Sequence, residues 1–257
     1  MKKLTVSAIV PAYNEEKYIT GVLRVLVSSP LIDEIIVIND GSTDHTDEQM
    51  RSVPGLKHVT FRKNHGKGYA IAKGIEEAHS DIVLLVDADL VNFGETHIQQ
   101  LTNPLIDKKA DCVIGYRSAF VDKFFIPLSG ERCYYRRDLL PYIETIRNKG
   151  YGVEMFLNKE FKDKRMRVVM LKGLRHVLKH KKQQYDDVVR TTLLETKEII
   201  DECMRDTNPP RYFIETYLYL FYLKQLHGTV VKRTHTIQRA IDRYREELEQ
   251  FVSQSGR

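Results

Sequence analysis

The chain contains 257 residues, of which 42% are hydrophobic and 29% are charged, and its formal net charge is +5. These values are ordinary for a globular protein. The mild positive charge favours anionic partners, but without a binding module or a strongly basic face it does not indicate nucleic-acid binding. We recognise no signal peptide and no apolar run of the roughly 18 to 20 residues that span a bilayer, so we expect a cytoplasmic protein. The cysteines, Cys112, Cys133 and Cys203, match no zinc pattern and are expected to be reduced thiols.

Predicted strands and helices alternate in the first part of the chain. Short apolar runs at 5–10 and 33–38 predict strands, and apolar residues at helical spacing over 18–27 and 68–78 predict helices. Polar motifs follow the two strands directly, namely Pro11-Ala12-Tyr13-Asn14-Glu15-Glu16 and Asn39-Asp40-Gly41-Ser42-Thr43-Asp44. This alternation predicts an α/β fold with a mainly parallel sheet, in which ligands bind at the carboxyl ends of the strands.

A third strand is predicted at 82–86, and it ends in Asp87 and Asp89, which are separated by Ala88. The run is short and rich in branched residues, as in a strand that is buried on both faces. Two carboxylates this close repel each other unless a cation lies beside them. Hard divalent ions such as Mg²⁺ or Mn²⁺ bind such carboxylates and complete their coordination with substrate phosphates. The pattern therefore favours a metal-bound diphosphate and hence a nucleotide-activated substrate.

Four ordered motifs resemble those of nucleotide-sugar glycosyltransferases of the GT-A fold, family-2 type. They are the two motifs above, Gly66-Lys67-Gly68 and Asp87-Ala88-Asp89, and the resemblance covers about residues 4–180. A narrower likeness, carried by 127–131, 151–154 and His176, is to the retaining branch typified by glucosyl-3-phosphoglycerate synthases. The resemblance implies a GT-A (Rossmann-like), mainly parallel sheet flanked by helices. It also implies a metal-dependent transfer of a hexose from a UDP- or GDP-linked sugar.

The resemblance further implies roles for individual residues. Nucleotide-sugar binding falls to Pro11, Ala12, Tyr13, Asn14, Glu15, Asp40, Gly66, Lys67, Asp87, Ala88 and Gly130. Binding of Mg²⁺ or Mn²⁺ falls to Asp87, Asp89 and His176. The catalytic residues are Asp89, Glu131 and Glu154, with the two glutamates as sugar-binding or base residues.

Structural roles remain open alternatives for several of these residues. Asp40 could cap the turn that follows it, and Glu15 could cap the next helix. Lys67 could be an exposed loop lysine, although its flanking glycines let the backbone approach a ligand. A lone histidine such as His176 is more often structural than a ligand, although imidazole is a common metal ligand.

The residues leave the stereochemistry of the reaction open. An inverting enzyme needs a carboxylate base on the far face of the sugar. A retaining enzyme of the type that the chain resembles can work without a strong protein nucleophile, because the leaving phosphate can accept the proton. Glu131 and Glu154 are the candidate carboxylates, and the structural alternative is that both pair with a neighbouring arginine: Arg132, Arg136 or Arg137.

The acceptor is expected to differ from phosphoglycerate. Residues 115–126 are short and aromatic, and they lack the glycine-rich loop that holds this acceptor in the synthases that the chain resembles. We therefore expect a polyol, a glycan or a lipid phosphate. Two other classes stay open. A nucleotidyltransferase would usually carry a glycine-rich basic loop after the first strand, and a non-catalytic nucleotide-sugar-binding protein would not need the intact Asp87 and Asp89.

The chain changes character after about residue 180. Residues 1–180 are predicted to form the nucleotide-sugar-binding and catalytic domain, and 181–257 a helical extension with helices over 183–205, 211–227 and 234–252. Tyrosines and phenylalanines are dense over 211–227. This pattern suits packing in the core or in a homodimer, and alternatively peripheral association with the inner face of a membrane.

Overall fold

Seven strands form one sheet in the part of the chain that the structure describes. The computed structural model describes residues 3–117 and 129–176. The strands are β1 (Val6–Ala12), β2 (Glu34–Asn39), β3 (Lys57–Thr60), β4 (Ile82–Leu85), β5 (Leu90–Val91), β6 (Cys112–Arg117), β7 (Arg132–Tyr135), β8 (Met166–Leu171) and β9 (Arg175–His176). The strand order of the large sheet is β3-β2-β1-β4-β7-β6-β8, and β5 pairs with β9 in a second, two-stranded sheet.

The helices lie between the strands in sequence. They are α1 (Ile19–Ser28), α2 (Thr46–Arg51), α3 (Lys67–Glu77), α4 (Glu95–Ile106), α5 (Arg136–Leu139), α6 (Ile143–Arg147) and α7 (Val153–Glu160). Short 3₁₀ helices occur at Leu140–Tyr142 and Gly150–Gly152. Within 3–117 and 129–176, no helix is long and apolar enough to cross a membrane.

Helices cover both faces of the large sheet, which is why its central strands are almost continuously apolar. Along β1, Ala8 and Val10 belong to a core cluster with α1 and α4, whereas Ile9 belongs to a cluster with α3, α6 and α7. Successive side chains of a strand point to opposite faces, so both layers are anchored on the same strand. Helix α3 packs closely on β1 at Gly74, where an added Cβ would overlap the side chain of Ile9.

The prediction of a mainly parallel sheet is confirmed. Strands β1, β2, β3 and β4 pair in parallel, as do β6 and β8. The predicted ranges of β1, β2, β4, α1 and α3 agree with the structure to within two residues. The short strands β3, β6 and β7 were not predicted. Cys112 and Cys133 are buried free thiols, as expected. Cys203, the predicted helices beyond 180 and the predicted domain boundary lie outside the described residues.

Strand β7 departs from the parallel pattern and decides where residues 129–131 lie. It runs antiparallel between β4 and β6, with Arg132 opposite Leu85. Because the two strands run in opposite directions, β7 begins at the edge of the sheet where β4 ends. The segment 129–131 therefore lies beside the Asp87-Ala88-Asp89 motif, at the same edge as the carboxyl ends of β1 and β2.

Candidate active site

The motifs after β1 and β2 hold each other through hydrogen bonds. Asn14, in the left-handed region with φ of 57°, donates its backbone N–H to Ser42 Oγ at 3.0 Å and accepts the Thr43 N–H on its Oδ1 at 2.8 Å. The Glu15 N–H donates to Thr46 Oγ1 at 2.7 Å. The N-cap residue of α1 is Tyr18, and the backbone carbonyl of Glu15 accepts the N–H groups of Tyr18 and Ile19, each at 3.1 Å. The loop after β1 is thus fixed by the loop after β2 and the start of α2.

Asp40 is buried at the end of β2 and binds the backbone at the start of α3. Its side chain is 3% exposed, and its two oxygens accept the backbone N–H groups of His65 and Gly66, each at 2.8 Å. The turn after Asp40 is capped by Asn39 instead, whose Oδ1 accepts the Ser42 N–H at 2.9 Å. Burial raises the pKa of Asp40 even though these two N–H groups favour its ionised form. The turn-cap alternative is therefore wrong, and the carboxylate ties the end of β2 to the start of α3.

Lys67 bridges two carboxylates from distant parts of the chain. Its Nζ lies 2.9 Å from Asp87 Oδ1 and 2.7 Å from Glu154 Oε1, and its side chain is only 18% exposed. Burial opposes the charged form, but the two carboxylates outweigh it and raise the pKa of Lys67 well above its ordinary value. Lys67 is therefore a charged bridging residue, and the alternative of an exposed loop lysine is wrong. Glu154 pairs with this lysine, so the alternative of a purely structural arginine pair is wrong for Glu154.

Gly130 packs directly against the carboxylate of Asp87. An added Cβ on Gly130 would overlap both carboxylate oxygens, so only glycine fits at this position without a shift of the backbone or of Asp87. The neighbouring Glu131 is 1% exposed and accepts the Ser129 hydroxyl on its Oε2 at 2.8 Å. The structure thus brings Lys67, Asp87, Gly130 and Glu154 into one cluster, with Glu131 buried behind it.

The backbone around Asp89 fits the predicted metal site. Strand β5 follows Asp89 immediately and pairs antiparallel with β9, so His176 lies opposite Leu90 and next to Asp89 along the ladder. Carboxylate oxygens with an added imidazole are a suitable ligand set for Mn²⁺, and carboxylates alone suit Mg²⁺. The side chain of His176 lies outside the described ones, and the described side chains contain no group of three metal-binding residues. The three-ligand set Asp87, Asp89 and His176 therefore stays a prediction.

One buried histidine near this ladder was missed in the sequence. His97 accepts the Gly94 N–H on Nδ1 at 3.1 Å, and its Nε2–H donates to the Lys172 carbonyl at 3.0 Å. These bonds assign the neutral tautomer and join the start of α4 to the turn that precedes β9. The residues around His97 follow an ordinary helical pattern, so no local signal marks it.

Comparison with known proteins identifies the family of the chain. The model of glycosyl transferase family 2 matches residues 7–166, more than half of the chain. An uncharacterized glycosyltransferase of Escherichia coli is 41% identical over 92 residues, which are 34% of this chain and 23% of that protein. The dodecaprenyl-phosphate galacturonate synthase of Rhizobium johnstonii is 30% identical over 135 residues, which are 49% of this chain and 40% of that protein.

A glucosyl-3-phosphoglycerate synthase of Mycobacterium tuberculosis is 32% identical over 112 residues, which are 40% of this chain and 34% of that protein. The chain spans less than half the length of each of these curated relatives. A crystal structure of a synthase of this name from M. tuberculosis, in complex with Mn²⁺, UDP-glucose and glycerol 3-phosphate, has a TM-score of 0.62 and 23% identity. The match covers 80% of this chain and 82% of that chain, and it establishes the likeness of fold.

Proposed function

The chain belongs to glycosyl transferase family 2, and we propose that it moves a hexose from a UDP- or GDP-linked sugar to an acceptor other than 3-phosphoglycerate, with Mg²⁺ or Mn²⁺ and with retention. The observation that carries the proposal is the cluster of Lys67, Asp87 and Glu154 at the carboxyl edge of the sheet, beside Gly130. Open α/β sheets bind their ligands at this edge.

The cluster has the charges and hydrogen-bonding groups that a sugar diphosphate requires. The carboxylates of Asp87 and Glu154 accept hydrogen bonds from sugar hydroxyls, and the ammonium of Lys67 offsets the charge of a phosphate. Lys67 is already charged and held by its two partners, so it needs little reorganisation when the donor binds. Gly130 lets the backbone of 129–131 pack directly on the Asp87 carboxylate, which helps to hold that carboxylate in place for the donor.

Asp89, with His176 and Asp87, would hold the divalent metal. A bound metal of this kind supplies Lewis acidity and offsets the charge that develops on a departing nucleoside diphosphate. Two carboxylates, Asp87 and Glu154, share one ammonium, that of Lys67, which leaves an excess of negative charge within this cluster. A divalent cation balances that excess, and this balance supports metal-dependent donor binding.

The loops after β1 and β2 provide the nucleoside side of the donor site. Asp40 keeps acceptor capacity after binding the two N–H groups of 65 and 66, because a carboxylate has about four lone-pair positions. A nucleobase N–H or a ribose hydroxyl can occupy one of them. The backbone of Asn14 and Glu15, just after β1, is hydrogen-bonded to Ser42 and Thr46, and this fixed position suits a ribose and diphosphate contact.

Burial of the two glutamates supports retention. A general base must reach the acceptor hydroxyl directly or through one water molecule. Glu131 is 1% exposed and Glu154 is 5% exposed and held by Lys67, so neither is placed as an open base on the far side of the sugar. A mechanism in which the leaving phosphate accepts the proton does not require one. We therefore assign Glu131 to positioning and Glu154 to sugar binding.

The acceptor is proposed to be a polyol, a glycan or a lipid phosphate. The absence of a glycine-rich sequence over 115–126 argues against phosphoglycerate. Similarity to a dodecaprenyl-phosphate galacturonate synthase adds weight to the lipid phosphate among these acceptors.

The decisive experiment is a screen of UDP- and GDP-hexoses by calorimetry, with and without Mn²⁺, followed by mass spectrometry of products from candidate acceptors. Binding should be much tighter with metal, and Asp89→Ala should abolish transfer without unfolding the protein. The exposed surface variant Asp107→Ala is the matched control and should retain full activity. Unchanged turnover in Asp89→Ala would contradict the metal site. Efficient glycosylation of 3-phosphoglycerate would contradict the acceptor part alone.

A further inference from the structure

Arg132 is a buried cation that lies behind the proposed donor site and not in it. It is the first residue of β7, it is fully buried, and no substrate can reach it. Its Nε–H donates to the Ser129 carbonyl at 2.5 Å, and its Nη1 donates to Asn158 Oδ1 at 2.7 Å and to the Tyr134 hydroxyl at 3.1 Å. A buried guanidinium needs partners for its donors, and these bonds tie Arg132 to Ser129, Tyr134 and Asn158.

Two of the partners of Arg132, Ser129 and Asn158, adjoin different sides of the cluster. Ser129 precedes Gly130, whose backbone packs on the carboxylate of Asp87. Asn158 lies four residues after Glu154 in α7, so both side chains project from the same face of that helix. Arg132 therefore links the segment that touches Asp87 to the helix that carries Glu154.

These contacts form a closed ring. On one side, Arg132 is hydrogen-bonded to Ser129, and the adjacent Gly130 packs on Asp87. Asp87 and Glu154 are joined by their ion pairs with Lys67. On the other side, Glu154 lies one turn of α7 before Asn158, which is hydrogen-bonded to Arg132 and closes the ring. The Lys67 ammonium contacts both carboxylates directly, whereas Arg132 contacts the segment beside Asp87 and the helix that carries Glu154. We propose that Arg132 is a positioning residue, which sets the spacing of Asp87 and Glu154 and thereby the affinity for the sugar part of the donor.

Geometry explains why arginine is required. Nε and Nη1 of one planar guanidinium reach acceptors in two different elements at once, and a lysine ammonium cannot reproduce that fork. Lysine keeps the charge and most of the bulk. Arg132→Lys therefore tests the positioning role with a smaller disturbance of the core than a truncation. Asn158→Leu removes the oxygen on α7 that accepts the hydrogen bond from Arg132, whereas Asn158→Asp keeps an oxygen acceptor at that position.

The inference rests on the proposed donor site, so the experiment has one readout that does not depend on it. Acylation of Lys67 by a succinimidyl ester, followed by peptide mass spectrometry, measures how firmly the two carboxylates hold this ammonium. Labelling of Lys67 should be slow in the wild type and in Asn158→Asp, and it should rise several-fold in Arg132→Lys and Asn158→Leu. Arg136 is close to Arg132 in the chain, but its Nε–H donates to the Ile75 carbonyl. As the control, Arg136→Met should leave the labelling of Lys67 unchanged.

The second readout compares the affinity for a nucleotide sugar with that for the free nucleoside diphosphate. Arg132→Lys should weaken binding of the nucleotide sugar about tenfold to a hundredfold, as expected for lost charge-assisted hydrogen bonds, while the free diphosphate binds nearly as before. A merely structural arginine would weaken both ligands equally, and that result would overturn the inference. Unchanged Lys67 labelling in a folded Arg132→Lys protein would overturn it as well. If the wild type bound no nucleotide at all, the proposed function would fail, and the labelling readout would still decide the role of Arg132.

Discussion

Replacement of Lys67 by methionine tests the central cluster most directly. Lys67→Met keeps the length and apolar stem of the side chain but leaves Asp87 and Glu154 near each other without the ammonium. Breaking a fully buried ion pair by removing one partner costs roughly 3–5 kcal/mol. Asp87 is 20% exposed and is partly screened by water, so we expect a smaller loss of about 2–3 kcal/mol in the free energy of unfolding at pH 7.

The raised pKa of Lys67 determines the pH range in which this loss appears. A lysine whose folded-state pKa lies above its ordinary value of 10.5 contributes its full stability below that value. The contribution disappears only as the pH rises through the raised folded-state pKa. The difference between Lys67→Met and the wild type should therefore be constant from pH 7 to about pH 10 and shrink only at higher pH.

Urea denaturation monitored by circular dichroism measures the change, and a loss of 2–3 kcal/mol corresponds to a fall in Tm of about 5–10 °C for a chain of this size. Lys73→Met is the matched control, because Lys73 also contacts two carboxylates, Glu76 and Glu77, but at the surface. Lys73→Met should lower the free energy of unfolding by less than about 1 kcal/mol. Equal losses in the two variants would refute the reasoning that Lys67 holds a partly buried pair of carboxylates.

Three further predictions follow from single contacts. Gly130→Ala should lower kcat/KM for the donor by about tenfold or more, because the added Cβ overlaps the neighbouring carboxylate, whereas Gly21→Ala, with open space around it, should be neutral or stabilising. A hydrogen bond from Arg51 is the main cause that lowers the pKa of Asp47 to about 2. Asp47→Ala should therefore lower the free energy of unfolding by about 1 kcal/mol near neutral pH. In urea titrations this difference should vanish as the pH falls from about 4 to about 2. Asp40→Ala should weaken nucleotide binding about tenfold to a hundredfold in calorimetry, and wild-type affinity would limit this residue to a structural role.

Local patterns in the sequence were sufficient for the strands and helices that frame the site. The apolar runs of β1, β2 and β4 are continuous because both faces of these strands are covered, and α1 and α3 show a clear helical spacing. β3 and β7 were missed because strands such as Lys57–Thr60 and Arg132–Tyr135 contain lysine, histidine or arginine among few aliphatic residues. Their assignment depends on the neighbours with which they pair and not on their own composition.

The sequence determined which residue types lie at the carboxyl edge of the sheet, since Asp40, Asp87 and Asp89 directly follow predicted strands. Only the tertiary structure decided their partners. Lys67 meets Glu154 across 87 positions because the antiparallel β7 and the following helices return the chain to the end of β4. Hydrophobic periodicity acts over a few residues and can be read locally. The partner of a buried charge depends on the whole topology, because the charge must be satisfied by whichever group the fold brings beside it.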